Sequence, residues 1–232
     1  MSVLYLIPSL LSENTIPKVL PPHVLTVIHG LRQFVVEDIR TARRFLSKVK
    51  HPVSIDQLQF RELNEHTSET EIATLLPDLL ADDTGVISEA GVPAVADPGA
   101  QIVRLAHANG IKIIPLVGPS SILMALMASG MNGQSFAFVG YLPVKSKERQ
   151  ERLRAIERRS AIEKQTQIFI ETPYRNMQLL DDILQCCHPE TMLAIAADIT
   201  GVHEFILTQK IRQWKNKLPD LNKIPAVFLL QA

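Results

Sequence analysis

The sequence predicts an α/β protein of two α/β domains, the first built on a mostly parallel sheet and the second on a mixed one. Three observations carry this. Through the first half, short apolar runs alternate with amphipathic stretches of helical spacing, the pattern of strand–helix–strand crossovers. Beyond residue 118 the pattern changes to five strand-like runs with only two or three helices among them, too few crossovers for an all-parallel sheet. The chain has 232 residues, of which 46% are hydrophobic and 21% charged, so it can fill two cores. We place the boundary near 118, giving domains 1–117 and 118–232.

Taken in order, residues 3–7 read as a buried strand stopped by Pro8, and residues 24–28 as a second strand. Residues 37–48 have helical spacing, with Ile39, Ala42, Phe45 and Leu46 on one face. Ser68 and Glu71 make a capping-box pattern that opens a helix through Leu80. Residues 85–88 read as the third strand. A helix follows over 97–108, with Asp97 as cap, Pro98 at its first position and Gly110 as an end signal. Residues 111–117 make a fourth strand. Residues 121–129 are almost wholly apolar and read as a helix buried between the domains. The strands of the second half are expected at 136–139, 167–170, 192–197, 205–207 and 226–230, with a helix at 176–184.

Several classes are disfavoured. The 24 basic and 24 acidic side chains cancel, so nucleic-acid binding would need a local patch. The only cysteines are the neighbours Cys186 and Cys187, which give no sign of an oxidising compartment. With His188 they lack a second ligand cluster, so no metal site is expected. No membrane span or leader is visible, and a cytoplasmic protein is expected. Neither a dinucleotide or phosphate-loop fingerprint nor a Gly-x-Ser-x-Gly elbow occurs.

Three strand-end segments could carry chemistry. The longest is Ser88-Glu89-Ala90-Gly91-Val92-Pro93-Ala94-Val95-Ala96-Asp97-Pro98-Gly99. Loops at the carboxyl ends of strands are where α/β sheets bind ligands. Two glycines let a ligand approach the backbone, and the length exceeds the roughly 2–6 residues of an ordinary connection. The second is Glu171-Thr172-Pro173-Tyr174-Arg175, a polar cluster that also reads as a helix start with Pro173 near its first position. The third runs from Asp198 to Glu204 and includes His203, more simply read as an ordinary surface or core histidine. Two basic segments stand out as nucleic-acid-contact candidates, Arg40 with Arg43 and Arg44, and Lys145 with Lys147; the interleaved Glu148, Glu151 and Glu157 read the remainder as a solvated helix.

The order of these motifs resembles the tetrapyrrole-methylase superfamily of S-adenosylmethionine-dependent methyltransferases, and within it the ribosomal RNA small subunit methyltransferase I branch. The family's Ser-Asp-Ala-Gly-Thr-Pro…Asp-Pro-Gly is matched at 88–99, with Glu89 for Asp and Val92 for Thr. Its Pro-Gly-Pro-Ser/Cys-Ala start is matched at 117–121, and Phe-x-Gly-Phe-Leu-Pro-x-Lys at 138–145. Tyr-Glu-Ser-Pro-His-Arg is matched at 170–175, and Glu-Asp-Thr-Arg-x-Thr at 37–42. The resemblance implies two α/β domains with the ligand cleft between them, and usually a homodimer. It implies 2′-O-methylation of ribosomal RNA, with RNA or the small ribosomal subunit as partner. It implies S-adenosylmethionine held around Pro8, Ser88, Glu89, Ala90, Gly91, Val92, Pro93, Ser120, Ser121, Glu171 and Ala197. The base is left open among Glu89, Glu171 and Asp198. A small-molecule, tetrapyrrole-type methyltransferase and a catalytically weak donor-binding paralogue are the alternatives. Three segments depart from the family: residues 8–14 lack the first-loop glycine, 198–201 lack a lysine, and 223–228 replace Lys-Gly-Glu-x-Val-Leu with Lys-Ile-Pro-Ala-Val-Phe.

Overall fold

The computed structural model describes residues 2–13 and 15–232. Asn14, within the expected first loop, lies outside the described residues. The chain divides into two compact units, 1–120 and 121–232.

Unit 1 carries a five-stranded sheet in which every pairing is parallel. Its strands are β1 (Val3–Ile7), β2 (Gln33–Val36), β3 (Gln59–Glu62), β4 (Thr84–Ile87) and β5 (Lys112–Pro115), in the order β3-β2-β4-β1-β5. Helices α1 (Ile16–Val19) and α2 (Pro22–Gly30) connect β1 to β2. Residues 24–28, expected as a strand, lie inside α2. Pro21 and Pro22 start that helix, and Val24 and Ile28, four apart, form its buried face. A short β-branched run cannot be told from a buried helix by periodicity, and packing decides it. The strand itself follows at β2, fully buried. β3 escaped notice because it is a mostly exposed edge strand without an apolar signature.

Helix α3 (Ile39–Lys48) is capped by Asp38, whose carboxylate accepts the Thr41 N–H at 2.6 Å. The capping box forms as expected, Ser68 Oγ accepting from Glu71 N and Glu71 Oε2 from Ser68 N. Its helix is split into α4 (Glu69–Ala73) and α5 (Leu76–Ala81), with Pro77 in the first turn of α5. Helix α6 (Gly99–Ala108) starts later than expected: Pro98 is the N-cap, while Asp97 Oδ1 accepts from Gly99 N at 2.7 Å. Two apolar clusters lie in this unit, one around Phe34, Ile28 and Leu46, the other around Leu4, Leu79 and Ile102.

Unit 2 holds β6 (Phe136–Tyr141), β7 (Thr166–Ile170), β8 (Met192–Ala197), β9 (Phe205–Lys210) and β10 (Ala226–Gln231), in the order β6-β7-β10-β8-β9. β6 and β7 are parallel and the other pairs antiparallel, the expected mixed sheet. Helices α7 (Ser121–Ser129), α8 (Ser146–Glu163), α9 (Asn176–Cys186) and α10 (Ile211–Trp214) complete it. α7 buries Ala125 and Leu126 but leaves Met127 82% exposed, so its apolar composition does not mean burial all round. The core gathers Leu153, Phe169, Leu179, Ile195, Trp214 and Phe228. Among the described residues no helix is long and apolar enough to cross a membrane.

Candidate active site

In unit 1 three loops meet at the carboxyl ends of the adjacent strands β4, β1 and β5. Ser9 N donates to Gly91 O at 2.8 Å, tying the first loop to the 88–99 loop. Gly91 has φ +75°, open to glycine, and a side chain there would press on Leu11 and approach the Pro119 carbonyl. Pro8 packs directly on Gly118, where a Cβ would overlap the proline ring. Pro8, Ser9, Gly91, Pro93 and Pro119 are buried, whereas Glu89 and Ala90 are exposed and Val92 and Ser120 half-buried. The buried Ser9 Oγ has no hydrogen-bond partner. Such a group in a backbone-lined cradle fits a polar ligand.

The 88–99 loop is held from within. Asp97 Oδ1 accepts from Ala94 N at 2.8 Å as well as from Gly99 N, and Ala94 and Ala96 sit at φ +68° and +63°. A narrow crevice beside it is lined by Glu37, Ser88, Pro93, Asp97 and Gly99. Burial pushes the Glu37 carboxyl above the usual range; the Glu89 N–H, bonded to it at 3.3 Å, acts against this, and the Glu89, Asp97 and Glu65 charges add to it. Asp97 is also raised by burial, opposed by the Gly99 and Ala94 N–H groups.

In unit 2, Glu171 and Ala197 lie at the ends of β7 and β8, with Ser121 opening α7. Glu171 Oε1 accepts from Arg175 Nη2 at 2.7 Å and from Thr172 N at 2.6 Å, while its buried Oε2 has no partner. That ion pair holds the Arg175 guanidinium more firmly protonated. The helix after it starts at Asn176 with Arg175 as N-cap, so Pro173 lies outside its first turn, contrary to the helix-start reading. Asp198 follows Ala197 at φ +47°; its Oδ2 accepts from His203 N at 2.9 Å, and its carboxylate fills the space a side chain at Gly201 would take. Sequence reasoning missed this coupling. It also missed two exposed tyrosines, Tyr141 at the end of β6 and Tyr174 after β7, although Tyr174 stood in a motif already under scrutiny.

The basic candidates divide. Arg40 is exposed; Arg43 pairs with Asp56 and lies over the Phe60 ring at 5.9 Å. Lys147 is exposed, and Lys145 makes only a surface pair with Glu148 at 3.3 Å. Arg149, within the same basic run, is buried. Its Nε donates to Asp182 Oδ2 at 2.6 Å and its Nη1 to the Val144 carbonyl at 2.9 Å. It anchors the turn that presents Lys145 and Lys147. Among the described residues no group of three or more metal-ligating side chains occurs.

A parallel α/β unit followed by a mixed-sheet unit is a class of fold also seen in solved structures. The fold is shared with the methyltransferase CobJ (TM-score 0.62, 17% identity, covering 99% of this chain and 92% of that one). It is shared too with uroporphyrin-III-C-methyltransferase from Thermus thermophilus (TM-score 0.56, 17% identity, 100% and 94%). Residues 20–214 match the family of tetrapyrrole (corrin/porphyrin) methylases, and the chain belongs to it. Among its relatives is the ribosomal RNA small subunit methyltransferase I of Pasteurella multocida, 30% identical over 89% of this chain and 72% of that protein. Another is the enzyme of the same name from Vibrio cholerae, 33% identical over 78% of this chain and 60% of that protein. The chain thus spans between about half and three quarters of the length of such relatives.

Proposed function

We propose that the protein is an S-adenosylmethionine-dependent methyltransferase acting on ribosomal RNA, at the 2′-oxygen of a nucleotide. The observation that carries this is the convergence of the first loop, the 88–99 loop and the Gly118-Pro119 turn on one buried backbone cradle. Pro8, residues 88–93 and Ser120 would hold the donor there. When bound, the sulfonium donor supplies an already activated methyl group. The protein's own work is then to position the acceptor hydroxyl and take its proton.

Of the three carboxylates, Glu171 is committed to Arg175 and Asp198 to the backbone of its own loop. Glu89 is exposed, and among the described residues its carboxylate makes no ion pair or hydrogen bond. We assign it as the proton acceptor. Glu89→Gln is expected to lower turnover at saturating donor and RNA by about 10²–10⁴; unchanged turnover removes the assignment. The RNA reading is supported by the Lys145 and Lys147 turn, by Arg40, and by the tyrosines at 141 and 174, since unstacked bases stack on exposed aromatic rings. The partner is then RNA or the small subunit, and the chain acts as a homodimer.

Radiolabelled methyl transfer to small ribosomal subunits, naked RNA and tetrapyrroles tests the acceptor, with donor binding followed separately by calorimetry. Labelling of the tetrapyrrole alone would overturn the RNA reading; no donor binding at millimolar concentration would overturn the whole. Lys145→Ala with Lys147→Ala should weaken RNA binding and reduce its salt slope by about 1–2, leaving donor affinity unchanged. Sedimentation at several concentrations checks the dimer.

A further inference from the structure

At the far end of α9 a second cluster of reactive groups faces solvent. Cys186 and Cys187 have their sulfurs 3.9 Å apart, both as free thiols. They open onto a broad, solvent-open depression of about 610 Å³ lined also by Arg154, Glu157, Arg158, His188 and Glu190. Glu190 pairs with Lys210 and Arg212, whereas Glu157 accepts from His188 N at 2.8 Å and Thr191 Oγ1 at 2.6 Å, neutral donors that leave its charge in place. Arg154 and Arg158, four apart on the exposed face of α8, form no ion pair among the described residues. The two thiols differ in access, Cys186 being half-exposed and Cys187 only 7% exposed.

We propose that Cys186 is a modification site for small anionic disulfides, with Arg154 and Arg158 receiving the carboxylates of the incoming molecule and the buried Cys187 thiol lying against the reacting sulfur. Glutathione disulfide has the required chemistry, and the depression has room for one such peptide arm. The Cys186 sulfur attacks one sulfur of the disulfide, a new S–S bond forms and the old one breaks. The departing thiolate carries off the electron pair and takes up a proton equivalent to the one Cys186 released, so no further oxidant is needed. The hydrogen bond with Cys187 and the nearby Arg154 favour the Cys186 thiolate; partial burial, Glu157 and Asp182 oppose it. The same hydrogen bond and burial push Cys187 up, so it stays a thiol and does not displace the adduct.

The test exposes the whole protein to glutathione disulfide and follows intact mass and peptide maps. One adduct on Cys186 is expected, none in Cys186→Ser, and a slower single adduct in Cys187→Ser. The double variant Arg154→Gln, Arg158→Gln should react about tenfold more slowly with glutathione disulfide at low salt, yet at the parent rate with the neutral hydroxyethyl disulfide. Modification at Cys187, a closed Cys186–Cys187 disulfide, or equal rates for the two disulfides in parent and double variant would each overturn the assignment.

Discussion

A side chain at position 201 has nowhere to go, because the Asp198 carboxylate already occupies the space. The missing family lysine is therefore bound up with how its neighbour lies, and putting it back alone does not rebuild a family-like loop. Gly201→Lys is expected to cost roughly 1–3 kcal/mol, from the overlap, without raising methyl transfer; urea midpoints and labelled transfer check both. Glu37 gives a pH signature. Its carboxyl is raised in the folded state by burial, so the folded chain keeps that proton to higher pH than the unfolded chain does. The stability linked to the proton is full below the unfolded value and lost as pH rises through the folded one. Glu37→Gln should then be more stable than the parent at pH 7.5, with the gain gone below about pH 4. An equal gain at both pH values would point to another cause.

Elements were legible where pattern and packing agreed. The strands at 192–197 and 226–230 are continuous apolar runs, and they form the buried middle of the second sheet. α2 and β2 were misread because Val24 to Ile28 carries β-branched residues that tertiary packing turned into one face of a helix. The candidate site was readable as glycine-rich strand ends, but not as pairings: Ser9 with Gly91, Pro8 on Gly118, and Asp198 over Gly201 all depend on how loops fold. α8 was the least legible, since Arg149 looks like its solvent-facing neighbours yet joins α8 to Asp182 of α9. Arg149→Met should lower stability by about 3–5 kcal/mol by leaving a buried carboxylate without its cation, measured by denaturant unfolding. A loss below 1 kcal/mol would make the pair dispensable.

At the scale of the molecule, each unit has its own apolar core, and Trp214, the only tryptophan, is fully buried in that of unit 2. Tryptophan fluorescence therefore reports one unit while far-ultraviolet dichroism reports both. Phe34→Ala, which removes about 3–5 kcal/mol from unit 1, should advance the dichroism transition and leave the fluorescence midpoint in place. Coincident shifts would mean the two units unfold as one.

The position of β10 between β7 and β8 has a consequence for synthesis. β8 and β9 can close as a local hairpin as soon as they emerge, and β6 can lie beside β7. The two halves have no strand between them until residues 226–231 arrive. At about 5–20 residues per second, β7 waits several seconds with one edge unpaired. The growing chain thus passes through a stage when unit 1 can be complete and unit 2 is two separate ribbons. That interval, with two apolar strand edges open to wrong partners, is when the nascent protein is most exposed to misfolding.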